Sequence, residues 1–308
     1  MATMAGECYA RCVAVSNDGR WIAAGSGSKV VVWDAVTYEQ VFVDRSGSDS
    51  IWDVDFSPDS THFVSADGAN NTATIWNIAT RRKVQTVTFH RRRWGQESVL
   101  TAKYSPQGDR IATASLKNVR VWDSNDGHIL VDIDLHAKGL LWFNNHLFVQ
   151  AKGTIQQINA ATGSTVSQWP VRDAGLHPHI AMPQHGKFIA CSTNKTLTFW
   201  DTTTDTQLNF IQHRDDIRSI AYSSDGQLLA IAAGRKIMVN DPSFVVSPSV
   251  SVRFVSSINL HYISVSPGTR NACQQRSPRC VERRAGHEGR SIAIRGNPDV
   301  GEQASCTC

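Results

Sequence analysis

The chain lacks most of the devices by which a 308-residue sequence declares an enzyme, a membrane protein or a secreted one. No run approaches the roughly 18 to 20 consecutive apolar residues that a membrane-spanning helix needs. The opening residues, MATMAGECYA, have neither the basic flank nor the apolar stretch of a signal peptide. There is no G-x-x-x-x-G-K-[ST] loop to cradle nucleotide phosphates, and no G-x-S-x-G or comparable nucleophile motif. The seven cysteines make no disulfide framework. Cys8, Cys12 and Cys191 fall in apolar strand contexts, and Cys273, Cys280, Cys306 and Cys308 lack the C-x-x-C pairing of a zinc site. A reducing, intracellular setting follows, cytoplasmic first and nuclear as the alternative. The two N-x-T sequons, at Asn70 and Asn194, read as ordinary turn residues in that setting.

Strong charge is missing as well. The net charge is +4, and the eight arginines and four acids that follow Pro242 account for all of it. The rest of the chain is balanced, so it offers no global basic field to a nucleic acid.

What the chain does have is a repeat. IWDVDFSPDSTHFVSADGANNTATIWN, from Ile51 to Asn77, reads as three short strands separated by two turns and ending on a Trp. Five further segments follow its pattern of apolar strand, Ser/Pro/Asp/Gly turn, apolar strand with small residues, short turn and third strand. Their closing positions are Trp33, Trp76, Trp122, Ile158, Trp200 and Asn240. Asp34, Asn77, Asp123 and Asp201 follow the four tryptophans. Strands of four to six residues with turn chemistry between them indicate antiparallel meanders. A polar turn and one more strand candidate come after each closing position, as at Gln40 to Val43, Lys83 to Phe89, Ile129 to Leu135 and Gln207 to Ile211. Four strands per repeat is the size of a propeller blade.

The first strand of each repeat carries a mechanical detail. Its apolar residues fall at offsets of three and then two: Ile51, Val54, Phe56; Val99, Ala102, Tyr104; Ile217, Ile220, Tyr222. A period-2 strand keeps these on one face only if a residue is inserted, which predicts a β-bulge. The bulge re-aims the residue after the first apolar one: Arg11, Trp52, Leu100 and Arg218.

The S-P-D-x turn, the Trp-Asp ending and the roughly 40-residue period resemble a WD-repeat (WD40-type) β-propeller over about Glu7 to Pro242. The wording of WDVDFSPDS, ATIWNIATRRKVQT and AKYSPQGDRIATAS is also similar to fungal WD-repeat proteins, including the repeat regions of NACHT-type signalling ATPases. The resemblance implies an all-β propeller of six recognisable four-stranded blades, with a seventh missing or incomplete. It also implies a hydrogen-bond set of His, Ser/Thr, Asp and Trp within each blade, which no repeat here completes. The second comes nearest with Ser65, Asp67 and Trp76, and the fourth and sixth are expected to be the softest. Residues 1–242 then form the propeller. Residues 243–308 form a basic tail of low order, with a partial strand expected within 249–266 and disorder from the composition beyond Gly268.

Constellations that could carry chemistry are few. Asp53/Asp55 and Asp132/Asp134 are i, i+2 carboxylate pairs, but they alternate with apolar residues as an exposed strand face does and have no neighbouring His. His177 and His179 lack a third metal ligand. Arg81, Arg82 and Lys83 are separated from Arg91, Arg92, Arg93 and Trp94 by a strand about 20 Å long, which puts the triplets on opposite faces. The chain therefore reads as a non-catalytic interaction module for proteins or peptides, with no cofactor or metal and with neither nucleic acid nor membrane as its partner. Membership of a larger complex is compatible with this reading. Arg11, Trp52, Leu100, Arg218 and the Arg91–Trp94 loop are the candidate contacts. The alternatives are a fragment or paralogue of a larger NACHT/WD-repeat sensor and, less favoured, a propeller enzyme with a site in its central channel.

Overall fold

The computed structural model describes residues 10–45, 51–89, 98–171, 179–223, 226–234 and 236–240, and the backbone of 254–259. All lie in one compact unit, Met1–Pro267. They form six antiparallel four-stranded sheets, each a meander in chain order. Blade 1 holds β1 Ala10–Val15, β2 Trp21–Ser26, β3 Lys29–Asp34 and β4 Gln40–Asp44. Blade 2 holds β5 Ile51–Phe56, β6 His62–Asp67, β7 Thr72–Asn77 and β8 Arg82–Thr88. Blade 3 holds β9 Val99–Tyr104, β10 Arg110–Ser115, β11 Asn118–Asp123 and β12 Ile129–Asp134. Blade 4 holds β13 Ala137–Phe143, β14 His146–Ala151, β15 Thr154–Asn159 and β16 Thr165–Pro170. Blade 5 holds β17 Ile180–Ala181, β18 Phe188–Thr193, β19 Thr196–Asp201 and β20 Gln207–Gln212. Blade 6 holds β21 Ile217–Tyr222, β22 Leu229–Ala233, β23 Lys236–Asn240 and β24 Phe254–Asn259. The last strand lies beyond Pro242, inside the 249–266 stretch, and pairs with β23 from Asn240↔Phe254 to Lys236↔Asn259.

The signature residues make the turns. In the first turn of a blade, a serine hydroxyl accepts a backbone N–H five residues ahead: Ser16 from Trp21 (2.9 Å), Ser57 from His62 (2.9 Å), Ser105 from Arg110 (3.1 Å) and Ser223 from Leu228 (2.9 Å). The Trp-Asp aspartates act at the later turn. Asp34 Oδ1 accepts the N–H groups of Val36 and Thr37, and Asp201 Oδ1 those of Thr203 and Thr204. Asn77 and Asp123 do the same with Thr80 and Asn125. Backbone donors favour the ionised form, so the carboxyls of Asp34, Asp123 and Asp201 are held below their usual range.

The tryptophans pack between blades. Phe63 and Trp76 of blade 2 stack (6.1 Å, 13°) and meet the edge of Phe42 of blade 1 at 5.4 and 5.2 Å. Core clusters join blade 1 to 2, 2 to 3, 3 to 4, 4 to 5 and 5 to 6 in turn. Only two tryptophans reach a hydroxyl at the matching position. Trp76 Nε1 donates to Ser65 Oγ (2.9 Å) and Trp122 Nε1 to Thr113 Oγ1 (2.7 Å). Blade 5 has Cys191 there, and the Trp200 indole N–H is buried with no partner.

Blade 4, expected to be soft, is packed on both faces, with the buried Trp169 N–H and Gln150 Oε1 unpartnered. Ile158 is fully buried in the Trp place, and Trp169, on the fourth strand, stacks on Phe148 at 5.8 Å. Ile158 packs toward blade 3 and Trp169 toward blade 5, so the two serve opposite faces of the sheet. Blade 6 is weaker: Asn240, in its Trp place, is buried with both side-chain polar atoms unpartnered, as is the Tyr222 hydroxyl.

Blade 1 is distinctive on the side facing away from blade 2. Its cluster there, Ala24, Val31 and Trp33 with Ile22, includes no residue of blade 6 among the described residues. Val13 and Val15 occupy the repeat positions of Val54 and Phe56, yet are 68% and 59% exposed against 1% and 7%.

Candidate interaction surface

First strands contact first strands from blade to blade, so β1, β5, β9, β13, β17 and β21 form the innermost layer. At the start of five of them the register slips by one residue, between Ala10/Cys12, Ile51/Asp53, Val99/Thr101, Ala137/Gly139 and Ile217/Ser219. These are the bulges expected from the three-then-two spacing. The inserted residues are Arg11, Trp52, Leu100, Lys138 and Arg218, all at the end of the propeller where first strands begin. Lys138 was missed, although Ala137, Leu140 and Trp142 carry the same spacing.

Arg11 and Arg218 are exposed, and Trp52 and Leu100 are half-buried. Two of the candidates come together: the Arg11 guanidinium sits 4.4 Å from the centroid of the Trp52 ring, a cation–π contact worth about 0.5–1 kcal/mol at an exposed site. The Cδ1 and Nε1 atoms of that ring lie against Gly68, where an added Cβ would stand 2.5 Å from them. Only glycine permits so close an approach, and the pair is thereby fixed as a flat, cationic-aromatic platform. Arg91, Arg92, Arg93 and Trp94 lie outside the described residues, as do His177 and the basic tail.

Beneath the platform, the carboxylate pair read as a solvated face proves to be an interblade ion cluster. Lys103 Nζ of blade 3 lies 2.9 Å from Asp53 Oδ1 and 3.8 Å from Asp55 Oδ1 of blade 2. Thr101 Oγ1 donates to Asp53 Oδ2, and the Tyr104 N–H donates to Asp55 Oδ2 (2.9 Å). Burial raises the Asp55 carboxyl to about 6, against the pull of Lys103 and helped by the charge on Asp53. Burial, with the Asp53 charge, pushes the Cys12 thiol up to about 12. A thiol so protonated is a poor nucleophile, and the carboxylates are committed to Lys103. The alternation of Asp with apolar residues could not reveal this, because the cation arrives from another repeat. Asp132 is likewise engaged, 3.1 Å from Arg120 Nε. No cluster of three or more His, Cys, Asp or Glu suited to a metal exists among the described residues.

Six four-stranded blades with bulged inner strands define the class: a six-bladed β-propeller. The WD domain, G-beta repeat model matches residues 2–34, 39–77, 82–123 and 205–241. The chain thus carries WD40 repeats and folds as a WD-repeat β-propeller. The unmatched stretch takes in blade 4, without its Trp-Asp, and blade 5, with its two-residue first strand. WD repeat-containing protein 18 of Danio rerio is 22% identical over 68% of the chain and 54% of its own length. The Periodic tryptophan protein 2 homolog of Dictyostelium discoideum is 23% identical over 71% of the chain and 25% of its own length. The chain therefore spans about half or less of these relatives. The β-propeller domain of Myceliophteria thermophila Cps50 (Swd1) superimposes with a TM-score of 0.69, covering 83% of this chain and 88% of that one at 15% identity. Identity that low speaks for the fold alone.

Proposed function

We propose that the chain is a non-catalytic interaction module that presents the bulged end of its propeller to a protein or peptide. WD-repeat propellers generally act as protein-interaction scaffolds, and mechanism in such a module is geometric: rigid blades fix where the contacts stand. The observation that carries the reading is the ring of bulge residues, with Arg11 locked over Trp52. Arg and Trp in a fixed pose lose little conformational freedom on binding and are typical binding hot spots. Asp53, Asp55 and Lys103 of the inner strands are paired with one another, which argues against their use in a channel enzyme.

The test is affinity purification with wild-type chain and with an Arg11→Ala, Trp52→Ala, Arg218→Ala variant. Reproducible partners retained by the first and lost by the second, at unchanged melting temperature, support the module. A stoichiometric metal, or turnover on a substrate panel, would defeat it. We place the protein inside the cell on the strength of its free cysteines Cys12 and Cys191. A second reading makes the propeller a piece or paralogue of a larger NACHT-type WD-repeat sensor. It has in its favour the wording of the second and third repeats and the chain's partial span of its relatives. A transcript running from this propeller into a nucleotide-binding module would establish it.

A further inference from the structure

The repeat signature itself polarises the propeller. Its turn acids, Asp18, Asp59 and Asp109, and its Trp-Asp acids, Asp34, Asp123 and Asp201, all fall where first strands end. Two arginines at that end face these acids, Arg20 at 3.9 Å from Asp34 and Arg110 at 3.5 Å from Asp109.

Cations collect at the other end in two concentric sets. The inner set is at the bulges, Arg11, Lys138 and Arg218. The outer set is at the tips of the second hairpins, Lys117, Lys152 and Lys195, one each from blades 3, 4 and 5. Trp52 and Leu100, the half-buried bulge residues of blades 2 and 3, form an apolar sector of the same inner ring, between Arg11 and Lys138. Among the described residues, the acids at this end lie at fourth-strand ends, at a hairpin tip or just ahead of β21. Asp44 and Asp134 close fourth strands, Asp215 and Asp216 precede β21, and Asp67 Oδ1 accepts the N–H groups of Ala69 and Asn70. The described residues therefore set a cationic end with an apolar sector on blades 2 and 3 against an end lined by the motif's acids, where Arg81, Arg82 and Lys187 also stand.

We propose that the bulged end docks an acidic peptide, its carboxylates meeting the two cation sets and an apolar side chain seated on the Trp52–Leu100 sector. The proposal deepens the interaction-module reading and rests on it. Charge complementarity supplies steering and choice of partner more than raw affinity. The geometry favours a peptide over a nucleic acid: the apolar Trp52–Leu100 sector interrupts the cations of the inner ring, and the exposed Asp215 and Asp216 beside Arg218 would repel a phosphate backbone tracking that ring.

The test uses the full chain and a fluorescein-labelled 15-residue peptide of glutamates interspersed with leucines, followed by fluorescence anisotropy. Glutamine-for-glutamate and lysine-for-glutamate versions, and a 15-nucleotide single strand, are the comparisons. We expect the acidic peptide to bind at least about tenfold more tightly than either other peptide, and to weaken about tenfold between 50 and 300 mM salt as screening shortens. A Lys152→Glu, Lys195→Glu, Arg218→Glu variant should lose about tenfold or more. Arg20→Glu with Lys187→Glu, at the opposite end, should bind as wild type, with circular dichroism melts confirming that both variants fold. Equal affinity for the glutamine or lysine peptide would overturn the acidic choice while leaving an interaction module standing. Tighter binding of the oligonucleotide, an equal loss in the opposite-end variant, or no peptide binding at all would overturn the docking proposal.

Discussion

Val13 and Val54 hold the same place in their repeats but differ in burial, so truncating each to alanine compares an exposed side chain with one packed against a neighbouring blade. Val54 is 1% exposed in the interface between blades 1 and 2. Removing its two methyl groups forfeits about 0.8 kcal/mol each in transfer free energy, and the cavity left behind takes the total to about 2–3 kcal/mol. Val13 is 68% exposed. Only about a third of its transfer term is at stake and no closed cavity forms, so Val13→Ala should cost about 0.5 kcal/mol. Urea denaturation followed by tryptophan fluorescence gives both values from the shift in midpoint at constant m. The expected gap is about 1.5–2.5 kcal/mol. Equal losses would refute the reasoning, because Val13 would then be covered in solution as fully as Val54 is by blade 1. Repeating the pair at tenfold higher protein concentration separates self-association, which would raise the Val13 cost with concentration, from an intramolecular cover, which would not.

Three other consequences are open to measurement. Asp55 has a folded pKa near 6 against an ordinary value of 3.8; the folded chain holds this proton more readily, so the group favours folding below about pH 4 and its contribution fades as pH rises to about 6. Asp55→Asn, which can still accept the Tyr104 N–H, should flatten that part of the stability–pH curve and gain about 1 kcal/mol at pH 7.5, read by urea melts at a series of pH values; an unchanged slope would contradict it. Cys191→Thr places a hydroxyl where Ser65 and Thr113 serve the other blades, giving the Trp200 N–H its missing acceptor and about 1 kcal/mol of stability, whereas a lower melting temperature would mean that the site cannot accommodate the hydroxyl. Tyr38, at φ 60°, occupies the left-handed turn position held by Gly127 and Gly163 in blades 3 and 4, so Tyr38→Gly should stabilise by about 0.5–1 kcal/mol in the same assay, and a destabilised variant would show that the ring contributes more than the strain removes.

Much of this protein was legible from residues alone because its information is local. The serine and aspartate of each turn bond within a few residues of themselves, so their spacing revealed the hairpins, and the hairpins revealed six blades. The three-then-two spacing of Ile51, Val54 and Phe56 determined the bulge, since side-chain alternation admits no other way to keep those residues on one face. What the sequence could not decide lies between repeats. Lys103 reaches Asp53 from 50 positions away, Trp169 of a fourth strand joins the cluster of Ile189 and Trp200 in the next blade, and β24 joins its sheet after an insertion that breaks the period. Even charge obeys this division. Composition reported a balanced chain, but alternating strand direction sends the motif's acids to one end and the bulge and hairpin cations to the other. Antiparallel folding alone separates them, and no count along the chain could show it.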